Sequence, residues 1–370
     1  MRASGALLDM RWDIFCQIVD NYGDAGVCWR LARSLSKRDD IRIRLFCDDL
    51  KVLNKIAHGD AIAYGASIGI EVLPWEAAES ISGVADVVIE AFACAIPATY
   101  IDQMVQYHQT TGVSPLWINL EYLTAEPWAD DLHLMPSPQN NGLKKFFYFP
   151  GFTAKTGGVI RGDWDRSTQG NTPPSLQDAW KENSRKKISI FNYPHAPVEA
   201  WLRDLAQAVK ISRDGNEDEI DVFICGKQNI SDGLIKELSS SSLHFIQLPF
   251  IPQEDYDWLL AHCDFNLVRG EDSFVRAQWA GKPFIWDIYP QSDQAHELKL
   301  NAFLERYFEE IPKTLNHQGK MMMKWASPAT WWADLQALTA HSESWAKKLQ
   351  DLGHLEVKIL DFVKSQEISR

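Results

Sequence analysis

The segment Asp20-Asn21-Tyr22-Gly23-Asp24-Ala25-Gly26 has the residue types and the spacing of a loop that handles a charged ligand. It follows an apolar run and precedes the stretch from Val27 to Leu35, where an apolar residue at every fourth position is typical of one helix face. The two glycines allow a ligand to approach the backbone closely. The carboxylates of Asp20 and Asp24 can bind a cation or accept a proton. The alternative for Asp24 is that it only caps the helix.

A second segment, Arg269-Gly270-Glu271-Asp272-Ser273, lies between an apolar run and a helical stretch. A guanidinium, a serine hydroxyl and the free backbone N–H groups of a helix start together suit a diphosphate. Because carboxylates repel a phosphate, Glu271 suits a sugar hydroxyl or a role in shaping the loop. The alternative is that Asp272 or Ser273 only caps the helix.

Two further loops follow apolar runs and carry aromatic rings. In Phe191-Asn192-Tyr193-Pro194-His195, Tyr193 can donate its hydroxyl to a phosphate and Phe191 can form the wall of a sugar pocket. Core packing is the alternative for Phe191. In the loop that follows Leu248, which contains two prolines, Phe250 and Gln253 suit a pyrimidine base by stacking and by hydrogen bonding. These loops favour a nucleotide ligand.

Dinucleotide and metal sites are disfavoured by the motifs. The first loop lacks the full G-x-G-x-x-G of a NAD site. The six cysteines are scattered without a C-x-x-C pair, as expected of inert buried thiols, so a zinc site is not predicted. Asp163-Trp164-Asp165 matches the D-x-D of metal-dependent transferases, but little strand character precedes it. We therefore predict no metal.

The composition narrows the class of protein further. The chain has 370 residues, with 37 Lys and Arg against 50 Asp and Glu, which gives a net charge of −13. This acidic balance argues against general nucleic-acid binding, and 45% apolar residues exclude bulk disorder. Because no apolar run reaches the length of about 18 residues that a membrane span needs, we predict a cytoplasmic protein with no membrane contact.

Short apolar runs alternate with amphipathic stretches, which is the pattern of a doubly wound parallel sheet. In the first half, strands are predicted at residues 12–19, 41–48, 69–73, 84–92 and 116–120, with helices near 49–57 and after Pro97. In the second half, strands are predicted at residues 187–193, 220–226, 244–250, 265–269 and 283–288. The polar segment 166–187 is the best linker candidate, and residues 328–370 are predicted to form helices with a break at Gly353.

The predicted fold is α/β, with two Rossmann-like domains at residues 1–180 and 185–353, and with helix 354–370 packing back on the first. Ligands of open α/β sheets bind outside the carboxyl ends of the strands, so two such domains facing each other form a cleft. GT-B nucleotide-sugar glycosyltransferases have this architecture. Some epimerases and periplasmic-type binding proteins have it too, so the fold alone leaves the function open.

Taken together, the loops resemble those of the bacterial protein-arginine rhamnosyltransferases that modify translation elongation factor P, the EarP family. The resemblance includes the four loops described above, in order. It also includes Asn119-Leu120-Glu121-Tyr122-Leu123 with Ala125-Glu126, His133-Leu134-Met135-Pro136-Ser137-Pro138, and Gly151-Phe152-Thr153 with Thr156-Gly157-Gly158. It runs from about residue 11 to the C-terminus. The preceding residues lie outside it, and Met10 is an alternative start.

The resemblance implies a GT-B, inverting, metal-independent enzyme without a cofactor. Its co-substrate would be dTDP-β-L-rhamnose, and its acceptor one arginine of elongation factor P, which the modification activates for translation through polyproline stretches. By position, Asp20 is the implied general base, and Asp24 and Glu271 are further essential carboxylates. The implied substrate-binding residues are Asn21, Tyr22, Gly23, Phe191, Tyr193, Phe250, Gln253, Arg269, Asp272 and Ser273.

This chemistry fits the residue types. A guanidinium has a pKa above about 12 and is a poor nucleophile, so its glycosylation needs carboxylates that bind it and take a proton. Two alternatives stay open. One is a transferase or epimerase of the same architecture that acts on another nucleotide sugar and a small acceptor. The other is a non-catalytic sensor of sugar nucleotides.

Overall fold

Strands that are buried on both faces form the centre of each half of the chain. The computed structural model describes residues 10–19, 22–57, 59–210, 219–226, 230–239, 241–290 and 294–368. The chain divides into two units. The first contains the residues up to Asp163 together with those from Leu352 onward, and the second is Trp164–Asp351. Each unit has its own sheet with helices packed against it, so the predicted α/β class with two Rossmann-like domains is confirmed.

The first unit contains a seven-stranded sheet. Its strands are β1 (Met10–Cys16), β2 (Ile41–Cys47), β3 (Ile70–Pro74), β4 (Val87–Ala91), β5 (Leu116–Leu120), β6 (Pro136–Pro138) and β7 (Lys144–Tyr148). The strand order is β3-β2-β1-β4-β5-β7-β6, and all neighbours are parallel except β6 and β7. The five strands predicted in the first half are all present, whereas β6 and β7 were not predicted.

Five helices of the first unit connect these strands. They are α1 (Gly23–Ser36), α2 (Leu50–Ile56), α3 (Ala61–Ser67), α4 (Ala98–Thr111) and α5 (Ala129–Leu132). Asp49 caps α2 by accepting hydrogen bonds from two backbone N–H groups, and Asp60 caps α3 in the same way. Helix α4 ends at Gly112, whose φ of +75° is the left-handed conformation common at helix ends.

The second unit contains a five-stranded parallel sheet. Its strands are β8 (Lys186–Ile190), β9 (Ile220–Cys225), β10 (Leu243–Leu248), β11 (Phe265–Arg269) and β12 (Phe284–Asp287), in the order β10-β9-β8-β11-β12. All five were predicted from the apolar runs. Strands β8, β9, β11 and β12 are buried along most of their length because helices cover both faces of a parallel sheet, whereas the edge strand β10 is only partly buried.

The helices of the second unit are α6 (Trp164–Thr168), α7 (Val198–Lys210), α8 (Asp232–Leu238), α9 (Gln253–His262), α10 (Asp272–Trp279), α11 (Ala295–Tyr307), α12 (Lys313–Met323) and α13 (Leu335–Leu352). The last helix, α14 (Leu355–Ile368), belongs to the first unit, where the Leu355 N–H donates to the Val159 carbonyl. The predicted break at Gly353 is confirmed, with a φ of +85°. No helix in the described ranges is both long and apolar enough to cross a membrane.

The division into units differs from the predicted domain ranges in residues 164–180. These residues pack with the second unit, although their polar composition resembles that of a linker. Leu176 is fully buried there, and the indole of Trp180 stacks on the ring of Phe223 at 5.4 Å and meets Trp258 edge-on at 4.8 Å. Two apolar side chains therefore attach a segment whose average composition is polar.

The core of the first unit contains a charged group. Asp13 lies in the middle of β1 and is fully buried, and Arg44 stands opposite it on β2. The guanidinium donates to both carboxylate oxygens, at 2.7 and 2.5 Å, and the Tyr100 hydroxyl of α4 donates to the same carboxylate. Burial raises the pKa of Asp13, and Arg44 opposes that rise. These partners offset the free-energy cost of burying a carboxylate inside the sheet.

We expect Arg44→Ala to lower the free energy of unfolding by about 3–5 kcal/mol, because it leaves the buried charge of Asp13 without its cation. Arg38→Ala breaks a surface pair with Asp40 and is expected to cost less than about 1 kcal/mol. Urea denaturation of both variants measures the difference. Equal small losses would show that the buried pair does not hold the first sheet together.

Candidate functional site

Two loops meet at the point where the strand order of the second sheet reverses. The chain runs from β8 outward to β9 and β10 and then returns to β11, so β8 and β11 are neighbours. In an open α/β sheet, ligands bind outside the carboxyl ends of two such strands. Phe191 follows β8, and Arg269 is the last residue of β11. The structure therefore brings together two loops that were predicted to bind the donor.

The guanidinium of Arg269 is the centre of this arrangement. The central carbon of the guanidinium, Cζ, lies 4.3 Å from the ring centre of Phe191 and 4.9 Å from that of Tyr193. Its Nη1 donates to the carbonyl of Asn192 at 3.0 Å. Stacking on aromatic faces and hydrogen bonding in one plane suit a guanidinium and not an ammonium. The cation therefore holds the loop after β8 in place.

Phe191 has two kinds of neighbour. Its ring meets the Tyr256 ring edge-on at 5.7 Å, as part of the core around β9 and α9, while the Arg269 guanidinium lies on its face. Phe191 is half-buried, whereas Tyr193 is 6% exposed. Phe191 therefore packs on the core and is still only half-buried, which is compatible with its predicted role as the wall of a sugar pocket.

The turn after β11 is closed by its own side chains. Gly270 has a φ of +63°, a conformation that glycine adopts without strain, and its carbonyl accepts a hydrogen bond from Trp286 Nε1 at 2.9 Å. The Ser273 hydroxyl accepts from the Arg269 N–H at 3.1 Å and donates to the Arg269 carbonyl. Ser273 thus fixes the backbone of Arg269, in addition to its predicted place in the donor site.

Both carboxylates at the start of α10 have partners. Glu271 is the N-cap residue, without a side-chain cap bond, so the alternative in which Asp272 or Ser273 caps the helix does not hold. Its Oε2 lies 3.5 Å from Nζ of Lys299 on α11. Asp272 accepts a hydrogen bond from Nε2 of Gln253 at 2.9 Å. The arrangement reduces the negative charge that an anionic ligand would meet at this helix start.

The loop before α9 joins this site through Gln253, the first residue of that helix. Its amide bridges to Asp272, so the loop after β10 and the loop after β11 are connected. Phe250 is 44% exposed, a large fraction for an aromatic side chain. Its stacking on a base stays a prediction.

In the first unit the order also reverses, between β1 and β4, and α1 begins at that point. Asp24 lies in the first turn of α1 and is 2% exposed, and its Oδ2 accepts the Val19 N–H at 2.8 Å. The N-cap residue is Tyr22, so the alternative in which Asp24 caps the helix is wrong. Gly23 opens the helix, and the Tyr22 hydroxyl lies 3.4 Å from Nζ of Lys55.

Asp20 and Asn21 lie outside the described residues. Asp24 bonds to the backbone of Val19, the residue before Asp20, so its carboxylate fixes the chain where it enters that segment. Asp163 of the D-x-D sequence pairs with Arg33 at 2.9 Å and with Lys37. In the part of the chain that the structure describes, no three His, Cys, Asp or Glu side chains are grouped to hold a metal ion.

The first sheet presents a further edge loop to which the sequence reasoning gave no role. Phe92 follows β4 with a φ of +57°, and its ring stacks on that of Tyr122 at 4.3 Å. Asn119 Nδ2 donates to Glu121 Oε1 at 2.6 Å, and burial raises the pKa of Glu121. Glu121 lies directly after β5, at the same edge of the sheet as Asp24. This position is the signal that could have identified it as a site candidate.

Known proteins with a similar sequence belong to one family. The sequence model of the family described as elongation factor P (EF-P) rhamnosyltransferase EarP matches residues 12–364 of this chain. The chain is 37% identical to the protein-arginine rhamnosyltransferase of Pseudomonas putida, over 96% of this chain and 98% of that one. It is 39% identical to that of Pseudomonas aeruginosa, over 82% and 83%.

Solved structures agree with this result. One, described as the structural basis for EarP-mediated arginine glycosylation of translation elongation factor EF-P, matches with a TM-score of 0.62 and 26% identity, over 96% of this chain and 99% of that one. The spinosyn rhamnosyltransferase SpnG matches with a TM-score of 0.51 and 11% identity, over 96% and 100%, and shows the fold alone.

Lys299→Met removes the cation beside Glu271 but keeps most of the side-chain length. The start of α10 then carries one more unbalanced negative charge, so we expect the dissociation constant for thymidine diphosphate to rise about three- to tenfold, with a smaller effect in high salt. Isothermal titration calorimetry measures it. Lys320→Met, which breaks a similar pair with the exposed Glu305, is the control. The same affinity in both variants would contradict a role of Lys299 in charge balance.

Proposed function

The chain belongs to the EarP family of elongation factor P rhamnosyltransferases, and from this premise we propose its substrates and mechanism. It is a protein-arginine rhamnosyltransferase, and therefore a glycosyltransferase. Its proposed reaction transfers L-rhamnose from dTDP-β-L-rhamnose to a guanidinium nitrogen of one arginine of elongation factor P. The bond from the anomeric carbon to the diphosphate oxygen breaks, a carbon–nitrogen bond forms, and the nitrogen loses a proton.

The observation that carries the donor part of the proposal is the placing of Arg269. A nucleoside diphosphate leaves with growing negative charge on its oxygens, and an enzyme must stabilise that charge in the transition state. Arg269 and the N-terminus of α10 supply positive charge at the carboxyl edge of the second sheet, where open α/β folds bind nucleotides. These groups take the role that a metal ion has in other transferases, so we propose a reaction without metal or cofactor.

The acceptor part of the proposal rests on carboxylates. A protonated guanidinium has no free electron pair to attack with, so the enzyme must bind the cation and remove a proton as the carbon–nitrogen bond forms. We assign the proton to Asp20 as general base. Asp24 is buried and accepts the backbone N–H of Val19, the residue that precedes Asp20 in the sequence, so we assign it a positioning role. Glu271 is the third carboxylate, assigned to the sugar or the bound cation.

Attack on the side opposite the leaving group inverts the anomeric centre. A single displacement of this kind changes the β-linked donor to an α-linked product and needs no covalent sugar–enzyme intermediate. Carboxylates then serve as base and as ligands of the cation and not as nucleophiles. The proposed acceptor is a translation factor, which places the reaction in the cytoplasm, and its proposed effect is to support translation through polyproline stretches.

Intact mass spectrometry of elongation factor P tests the reaction. After incubation with the enzyme, dTDP-β-L-rhamnose and EDTA, we expect a gain of one deoxyhexose, located on an arginine. Under single-turnover conditions, Asp20→Asn is expected to slow the transfer at least about a hundredfold, because it removes the base. Asp40→Asn, which alters a surface carboxylate of the same unit, is the control and keeps the rate of the unaltered enzyme.

The outcomes separate the parts of the proposal. No mass gain while the protein still binds thymidine diphosphate would remove the proposed acceptor or sugar. A mass gain with a near-normal rate in Asp20→Asn would keep the reaction and remove Asp20 as the base. Transfer that stops in EDTA and returns with a divalent cation would contradict the metal-free mechanism.

A further inference from the structure

A buried carboxylate contacts the loop after β8, residues 191–195, which we call the donor loop. Asp287 is the last residue of β12 and is 5% exposed, and it stands beside Arg269 in the register of the two strands. Its Oδ2 accepts a hydrogen bond from the backbone N–H of Tyr193 at 2.6 Å. Neither the motifs nor the proposed mechanism gives this residue a role.

Asp287 and Arg269 contact the same loop. Arg269 fixes the two rings and the Asn192 carbonyl of this loop, while Asp287 fixes its backbone one residue further along. The loop therefore has one anchor from β11 and one from β12. Because a charged acceptor forms a stronger hydrogen bond than a neutral one, the second anchor depends on the ionisation of Asp287.

A histidine and an arginine face this carboxylate. His195 Nε2 lies 3.6 Å from Oδ1, with the imidazole half exposed and stacked on the Tyr193 ring at 5.7 Å. Burial raises the pKa of Asp287 to about 6, and the hydrogen bond from Tyr193, His195 and Arg269 each limit the rise. Among the described residues these are the groups that set its charge. Asp287 thus titrates close to neutral pH, whereas an exposed aspartate does not.

We propose that Asp287 is a positioning residue for the donor: ionised, it holds Tyr193 and with it the aromatic wall next to Arg269 that receives the nucleoside diphosphate. The hydrogen bond from Tyr193, together with His195 and Arg269, favours the ionised form of that carboxylate. The inference rests on the proposed donor site of the second unit. Arg269, the neighbour of Asp287 on β11, offsets the negative charge that the carboxylate brings close to an anionic ligand.

The pH dependence has a definite sign. A carboxyl group whose pKa is raised on folding binds its proton more tightly in the folded state, so protonating Asp287 between its ordinary value of 3.8 and about 6 stabilises the fold. Donor binding needs the ionised form instead, and it weakens as the pH falls through about 6. A fall in pH therefore stabilises the fold through Asp287 but weakens donor binding. Unfolding driven by this group cannot explain a loss of donor affinity at low pH.

Isothermal titration of dTDP-β-L-rhamnose, whose fully esterified diphosphate does not titrate in this range, tests the inference. In the full-length enzyme we expect the dissociation constant to rise roughly tenfold from about pH 7.5 to about pH 5. Asp287→Asn should bind weakly at both values, with at most a twofold change between them. His195→Ala should move the midpoint of the loss to higher pH, since it removes a charge that favours the ionised carboxylate.

Asp264→Asn is the matched control. Its carboxylate accepts the backbone N–H of Lys187 at 2.7 Å, at the opposite end of β8 and β11 from the donor loop. This variant should reproduce the affinity and pH dependence of the unaltered enzyme. If Asp287→Asn keeps the same affinity and the same pH dependence, the inference is wrong while the proposed donor stands. If the unaltered enzyme binds no donor at about pH 7.5, the proposed donor fails and the inference fails with it.

Discussion

The loop after β8 in the second unit depends on one planar cation that contacts two aromatic rings. Arg269 ends β11, and its guanidinium lies on Phe191 and Tyr193 and donates to the carbonyl of Asn192. This contact fixes the loop after β8 without using all five guanidinium donors. Ser273 then fixes the backbone of Arg269 itself. The proposed diphosphate site needs a cation whose position does not change when the ligand arrives, and Arg269 is fixed in this way.

The two units carry charges suited to different substrates. At the edge of the second sheet, Glu271 lies beside the Lys299 ammonium and Asp272 accepts a hydrogen bond from Gln253, while Arg269 and a helix start carry positive charge there. At the carboxyl edge of the first sheet lie the carboxyl groups of Asp24 and Glu121, which suit the proposed cationic acceptor. Both sets lie at the carboxyl edge of a parallel sheet, where open α/β folds bind ligands, and Asp24 and Arg269 lie where the strand order reverses. This division of charge supports the proposed transfer from an anionic donor to a cationic acceptor.

The sequence predicts the fold well where burial and periodicity coincide. Buried parallel strands read as apolar runs, so all five strands of the second sheet were identified. Strand β7 was missed because its residues, Lys144–Tyr148, begin with two lysines and lie near the sheet edge. Residues 166–180 resembled a linker because few of their side chains are apolar, although Leu176 and Trp180 are buried. Their attachment is a tertiary contact, which composition does not record.

For the site, loop position and residue type identified Arg269, Phe191 and Tyr193, while the contacts among them could not be read from spacing. The pairing of Glu271 with Lys299 and the bond from Asp287 to Tyr193 join elements far apart in the chain. No local pattern shows such pairs. They appear only once the strand order is known.

The most direct test of this account is the affinity of Arg269→Lys for thymidine diphosphate, measured by calorimetry beside Arg203→Lys, an exposed arginine of the same unit. We expect a loss of about tenfold or more for Arg269→Lys, since an ammonium cannot both stack on the rings and donate in its own plane to the carbonyl, and no loss for the control. Equal affinity in the two variants would contradict it, because any cation at that position would then serve.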